Sequence, residues 1–248
     1  MSKLRGTIHG GLLRLGVDLA RVPRRATLDR ALRDALRHGD VEVVIDIGAN
    51  TGQFGQQLRR VCGYRGRIES VEPSEGAFRE LTARAAPDPL WRVHRLAVSD
   101  HEGTVTLNEF SDSQFNSVLD VSDAGAEVKP VLAAAHTSEV PSTTLATLLD
   151  RVAAETGRSI DRAFVKTDTQ GFDLMVLRSG GPALGQVAGI LMEAPVIPLY
   201  ADSFSIADAL GFLSDEGFTL FGVYPNSIHR PSGAVVDTNI LAVRDPVV

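Results

Sequence analysis

The segment Phe164-Val165-Lys166-Thr167-Asp168-Thr169-Gln170-Gly171-Phe172-Asp173 carries a lysine, an aspartate and a glutamine at alternate positions after an apolar start. Such a pattern reads as a strand leaving a core, and if the strand persists that far, Lys166, Asp168 and Gln170 share one face. A lysine and an acid between apolar neighbours are partly buried and need partners. Two readings follow. In one, Asp168 accepts a proton or orients a hydroxyl while Lys166 holds its charge; in the other the two form a structural pair.

A second chemical stretch is Val43-Val44-Ile45-Asp46-Ile47-Gly48-Ala49-Asn50-Thr51-Gly52. A continuous apolar run before a glycine turn suits a strand buried on both faces, and Phe54, Leu58 and Val61 follow at helical spacing. Gly48 permits a backbone conformation closed to other residues, and Gly52 is expected to let a ligand approach the helix start. A dinucleotide site would carry Gly-x-Gly-x-x-Gly, and the middle glycine is missing, which disfavours a nicotinamide-dependent oxidoreductase. Asp46 would repel a pyrophosphate but can accept from an ammonium group, as at the amino-acid end of S-adenosylmethionine. Downstream, Arg67-Ile68-Glu69-Ser70-Val71-Glu72-Pro73 ends a second strand in an acid, where such folds hold a ribose diol, so Glu72 is the candidate. Ala97-Val98-Ser99-Asp100 then closes a third strand at the same edge, where Ser99 or Asp100 could meet an adenine amine or simply form a turn. The cofactor set is therefore Asp46, Gly48, Asn50, Gly52, Glu72, Ser99, Asp100 and Asp168, the pattern of a class I methyltransferase.

These segments resemble the FkbM-type methyltransferases over most of the chain, from about Arg5 onward. The resemblance rests on Asp46 to Gly52, on Gly63-Tyr64-Arg65-Gly66-Arg67-Ile68 leading to Glu72-Pro73, and on Leu96 to Asp100 with Gly103. It rests further on Lys166 to Asp173 and on Glu193 with Pro198-Leu199-Tyr200. It implies a Rossmann-like fold, S-adenosyl-L-methionine as cofactor, and methyl transfer to a hydroxyl, commonly of a sugar, a polyketide or another secondary metabolite. Two positions depart from the family pattern. The fourth-strand motif often has Glu where Gln170 stands, and Asp237-Thr238-Asn239 occupies a place where an acid is common.

Methyl transfer to a hydroxyl asks the protein mainly for alignment, plus a modest base or a Lewis acid. Asp168 is the first candidate for base or orienter, with Lys166 beside it. A divalent ion on Asp168, Glu193 and Asp237 is chemically open, since oxygen ligands suit a hard cation, but with Gln170 neutral the metal-free reading is preferred. Of six histidines, His9 and His38 fall in a helical extension and His94 and His101 flank the third strand. His136 and His229 fall in predicted loops, and His229, after Tyr224-Pro225-Asn226, is kept as an alternative base. A catalytically silent cofactor-binding partner or sensor is the competing reading from a different class.

The elements that must position these groups alternate regularly. Strands Val43 to Ile47, Arg67 to Val71, Trp91 to Leu96, Phe164 onward and Ile190 to Glu193 interleave with helices Phe54 to Cys62, Gly76 to Ala85, Thr144 to Ala154, Leu174 to Arg178 and Ile206 to Leu213. The expectation is an α/β, Rossmann-like class I methyltransferase fold: a mainly parallel seven-stranded sheet with helices on both faces. Phe218 to Val223 and Asn239 to Val243 would close it as an antiparallel hairpin. Thr104 to Leu107 reads as a partly exposed strand paired with Asn116 to Leu119, and Asp120 to Pro141 as a loop.

The 248 residues, 44% hydrophobic, suffice for one such domain from residue 41 and a helical extension over residues 1 to 40. Within the extension Leu4, Ile8, Leu12, Leu15 and Leu19 recur at helical spacing with Arg5, Arg14 and Arg21 between them, and a second helix covers Leu28 to Leu36. Of the net charge of -6, residues 1 to 37 hold +6, with nine Lys or Arg against three Asp or Glu, which leaves -12 on the rest. The acidic body argues against nucleic acid and for a small-molecule or glycan acceptor. The extension reads as a lid beside the cleft, or alternatively as a basic face resting on an anionic membrane or glycolipid. A single cysteine, Cys62, the absence of a secretory pattern and the absence of a membrane span lead to the expectation of a cytoplasmic protein, with oligomeric state left open.

Overall fold

A computed structural model of the chain describes residues 27–133, 135–157 and 160–244. The predicted amphipathic helix from Leu4 to Leu19 lies outside the described residues. Helix α1 (Leu28–His38) leads into β1 (Val43–Ile47), α2 (Gln53–Gln57, continued by a wider π-turn over Leu58–Cys62), β2 (Arg67–Val71), α3 (Glu75–Ala85) and β3 (Trp91–His94). Next come β4 (Ala97–Val98), β5 (Gly103–Glu109), α4 (Asp123–Val128), β6 (His136–Thr143), α5 (Leu145–Thr156), β7 (Ala163–Thr167), α6 (Asp173–Arg178), β8 (Val187–Pro195), α7 (Ile206–Asp215), β9 (Thr219–His229) and β10 (Ala234–Val243).

Seven strands form one sheet in the order β3-β2-β1-β7-β8-β10-β9. β1, β2, β3, β7 and β8 pair in parallel, while β10 runs antiparallel to both β8 and β9. Helices cover both faces, and the side-chain alternation of the strands sorts the core accordingly. Val43, Ile45 and Ile47 of β1 face Leu145, Leu148, Leu149 and Val152 of α5. Val44 and Phe164 face the other way, onto Leu32 of α1, Leu58 and Leu81. The predicted class I methyltransferase architecture is the one observed.

Two local expectations are corrected. Ala97-Val98 does not extend the third strand: it pairs in parallel with Ser142 and Thr143 in a separate three-stranded sheet of order β4-β6-β5. The partner of β5 is chiefly β6, from Gly103↔Ser142 to Glu109↔His136, whereas the segment from Asn116 gives one bridge, Asn108↔Ser117. His136 to Pro141 is therefore strand, and α4 lies inside the stretch expected to be loop. β6 escapes a periodicity reading because it is largely polar and half of it is exposed. Pro141 is tolerated because β4 reaches only Ser142 and Thr143, leaving that side of the strand open at the proline.

Candidate active site

The carboxyl ends of β1, β2, β7 and β8 open on a cleft of about 600 Å³, within the range of pockets that hold drug-sized ligands. Gly48, Asn50 and Glu72 line one end, and Gln170, Glu193, Asn226 and Asp237 the other. The wall across from the sheet comes from a short helical turn, Ser113–Phe115, and the residues after it. Asn50 ties this wall to the glycine loop through an Nδ2 hydrogen bond to Ser113 Oγ at 3.1 Å. Sequence reasoning missed the wall. Its signal was present in Ser111-Asp112-Ser113-Gln114, a turn-forming run in which the Asp112 side chain accepts from Gln114 N.

Beneath the cleft, strand register aligns three polar side chains across the sheet: Ser70 of β2 and Lys166 of β7 flank Asp46 of β1. Trp91 Nε1 donates to Ser70 Oγ at 2.9 Å, and Ser70 Oγ donates to Asp46 Oδ2 at 3.0 Å. Lys166 Nζ lies 3.3 Å from Asp46 Oδ1 and donates to Gly48 O at 2.8 Å. Asp46 is wholly buried and does not line the cleft. This revises its expected part: the ammonium it meets is that of Lys166, within the protein. Burial raises the Asp46 carboxyl against the pull of Lys166 and Ser70. Burial also works to lower the Lys166 pKa, but the charges of Asp46 and Asp168 more than offset it, so the ammonium stays protonated.

Lys166 reaches Asp168 as well, 3.6 Å from Oδ2, and the Asp168 side chain is 37% exposed to the cleft. The strand ends at Thr167, so the expected alternation stops there; Asp168 N still donates to Ile47 O at 3.1 Å and Gln170 takes a left-handed φ of 54°. The turn nonetheless brings Lys166, Asp168 and Gln170 to one place. Gln170 Nε2 donates to Asp168 Oδ1 at 2.9 Å and to Glu193 Oε1 at 3.3 Å. Asn226 Nδ2 donates to Glu193 Oε2 at 2.9 Å. Burial, then the charges of Asp168, Asp237 and Asp173, hold Glu193 well above the ordinary carboxyl range. Asp173, fully buried at the start of α6, is pushed up to about 6 by burial and by Asp168, and accepts from Thr169 N at 3.2 Å.

The three acids considered for a divalent ion are thus already engaged. Asp168 and Glu193 share the Gln170 amide, and Asp237 accepts from Ser227 N at 3.1 Å and from the Ser227 hydroxyl. Among the described residues no cluster of three His, Cys, Asp or Glu side chains has the arrangement of a metal site. Gln170 stands between Asp168 and Glu193, and Asp237 is turned to Ser227, so the three acids do not converge as placed.

At the other end, Glu72 is buried but reaches the cleft, accepting from Asn50 N at 2.8 Å and Ser74 N at 2.9 Å, one on each oxygen. Each oxygen keeps further acceptor capacity, the requirement for holding a diol. Burial raises this carboxyl to about 7, against those two backbone hydrogen bonds.

Gly48 lines the cleft, whereas Gly52 packs against α3 and β3: a β-carbon on it would lie 2.9 Å from Leu81 and 3.2 Å from Trp91. Its φ of 89° and this packing, rather than a ligand, account for the glycine. Ser99 is buried and donates to His101 O at 2.9 Å, Asp100 is turned to His101, and the lining stops at Val98. His229 also lies outside the lining, at the end of β9 with Ser232 Oγ 2.8 Å from its Nδ1. The loop expected to carry it is continuous strand, and Asn226 and Ser227 reach the cleft instead. His136, on exposed β6, is likewise away from it.

A parallel sheet with one antiparallel strand next to the edge and an acid-lined cleft at its carboxyl ends defines a class I methyltransferase fold. The sequence matches the Methyltransferase FkbM domain over residues 46–220, and the chain belongs to that methyltransferase family. Among solved structures, a methyltransferase FkbM from Methylobacillus flagellatus KT is similar at 14% identity with a TM-score of 0.53, covering 82% of this chain and 44% of that one. The chain therefore spans less than half the length of that protein. The METTL16 methyltransferase domain (14% identity, TM-score 0.47, 93% of this chain and 71% of that one) and TehB from Haemophilus influenzae (9%, 0.46, 89% and 63%) are also similar. No curated protein matches the chain by sequence.

Proposed function

We propose that the protein is an S-adenosylmethionine-dependent O-methyltransferase acting on a hydroxyl of a sugar, glycolipid or secondary metabolite. The observation that carries this reading is Asp168, a carboxylate open to the cleft and held between a protonated Lys166 and the Gln170 amide. When bound, the cofactor supplies an electrophilic methyl group on a sulfonium. The chain's own share is to place the acceptor oxygen in line and to take its proton on the Asp168 carboxylate while the methyl moves to the oxygen. Lys166, fixed by Asp46 and Gly48 O, keeps positive charge beside the developing alkoxide throughout. Glu72 would hold the ribose diol. Gln170, Glu193, Asn226 and Asp237 give the acceptor end a lining of hydrogen-bonding groups suited to a polyhydroxyl compound.

Among the described residues no helix is long and apolar enough to cross a membrane. The first experiment is calorimetric titration with S-adenosylhomocysteine and with NAD. It is followed by transfer of labelled methyl from S-adenosylmethionine to a panel of glycosides and phenolic or polyketide alcohols. Binding of S-adenosylhomocysteine with labelled, base-stable ethers as products is expected. Labelled product on nitrogen or carbon would overturn the O-methyl assignment, and binding of NAD alone would overturn the cofactor.

A further inference from the structure

We propose that Gln170 is a positioning residue, whose side-chain amide cross-links Asp168 to Glu193 and so fixes the direction in which the Asp168 carboxylate faces the cleft. The amide has two hydrogens and meets two carboxyl oxygens, Asp168 Oδ1 at 2.9 Å and Glu193 Oε1 at 3.3 Å. The opposite orientation would set its carbonyl oxygen against both of these, so the nitrogen must face them. Its oxygen then lies 3.2 Å from the hydroxyl of buried Tyr200, whose one proton also meets Phe115 O at 2.7 Å, and Ser117 Oγ pins the backbone by donating to Gln170 O at 2.9 Å. A side chain whose amide nitrogen meets two carboxyls, on a left-handed residue held at its backbone by Ser117, has little freedom left to lose, which is the condition for holding a neighbour within catalytic tolerance.

Gln170 supplies something no other group around Asp168 does. The charged or titratable side chains coupled to that carboxylate are Lys166 on its own strand end, Asp46 of β1, Glu193 of β8, Asp173 of α6 and Tyr200. Three of these five are carboxylic acids, and Lys166 engages Oδ2. The amide is the neutral donor on the other oxygen, and without it that oxygen would face the Glu193 carboxyl with no donor between them.

The proposal rests on the assignment of Asp168 to methyl transfer, but its test uses no turnover, so a failed acceptor screen leaves it standing. The full chain is labelled with carbon-13 at its aspartate and glutamate carboxyls, and the Asp168 signal is identified by its loss in Asp168→Asn and followed through a pH titration. Gln170→Met removes both donors at similar length and adds no charge. The Asp168 midpoint is expected to rise by about one pH unit, a tenfold change in its ionisation constant, while S-adenosylhomocysteine binding changes by less than about threefold. A midpoint within about 0.2 of the parent, with that binding retained, overturns the proposal. Should Gln170→Met fail to fold, Gln170→Glu carries the test: it removes the same donors and adds a carboxyl, so the midpoint must rise at least as far, and an unchanged one overturns the proposal.

Discussion

The carbonyl oxygen of Asp168 lies 1.9 Å from where a β-carbon on Gly48 would sit. The glycine loop after β1 and the acidic turn after β7 are therefore in direct backbone contact, joined also by Lys166, which donates to Gly48 O and pairs with Asp168. Gly48 has a φ of 69°, so an added methyl group meets both backbone strain and a rigid carbonyl. Gly48→Ala is expected to push the two loops apart. Stability should fall by about 2 kcal/mol or more, measured by urea unfolding, and methyl transfer should fall further than S-adenosylhomocysteine affinity. Parent-like stability and turnover would show that the contact is relieved at no cost.

Asp168→Asn keeps the shape of the carboxylate and removes its capacity to take a proton, at the cost of one of its two contacts, since the new Nδ2 cannot accept from Lys166 or Gln170. Loss of a positioned general base lowers kcat by about 10²-fold to 10⁴-fold. Binding of S-adenosylhomocysteine should change little, since the proposed ribose contact is at Glu72, at the other end of the cleft. Turnover at the parent rate would remove Asp168 from the mechanism.

Lys166→Met leaves Asp46 buried without its counter-charge. Breaking a buried pair from one side costs about 3–5 kcal/mol, whereas replacing both partners can be nearly neutral. The double change Lys166→Met, Asp46→Leu should therefore recover much of the stability lost by the single one, while activity stays low in both. Additive losses in the double variant would mean that the two side chains are not coupled.

What the sequence disclosed and what it hid divide along physical lines. β1, β7 and β8 were legible because strands buried on both faces are rich in apolar residues, and β2 because it ends in an acid before a proline. Glu72 and Asp168 were placed at the cleft as the acids that follow the ends of such strands. Asp46 was not, because its partners Ser70 and Lys166 come from other strands, and only register brings them together. β6, largely polar and half exposed, and the three-residue Ser113–Phe115 turn have no periodicity to read. Asn226 was hidden by Pro225, which suggested a loop where β9 continues.

α1 belongs to the second core. Ala31, Leu32, Ala35 and Leu36 are buried in it, and Leu28 reaches the cleft. Leu32→Ala should cost about 2–5 kcal/mol of unfolding free energy. A truncation meant to test the basic extension must stop before Thr27, since removing residues 1–37 would strip this face of the sheet. A Leu32→Ala variant as stable as the parent would show α1 to be dispensable.

Glu72 provides a pH test of the cofactor end. Burial favours its neutral form, with a folded pKa of about 7 against 4.5 ordinarily. Its contribution to stability is thus full below the ordinary value and is lost as pH rises through about 7. Ribose hydroxyls donate to a carboxylate, so ligand binding should run the opposite way. Affinity for S-adenosylhomocysteine should tighten with pH by up to about tenfold per unit below 7 and level off above it. Glu72→Gln stays uncharged at every pH and should remove both dependences, with weaker binding at pH 8 but a smaller loss of stability between about pH 5 and 8. Calorimetric titrations and urea midpoints of the two proteins over that range decide it. Equal slopes in parent and variant would assign the titration to another group, with Glu193 and Asp173, both raised by burial, next to be replaced.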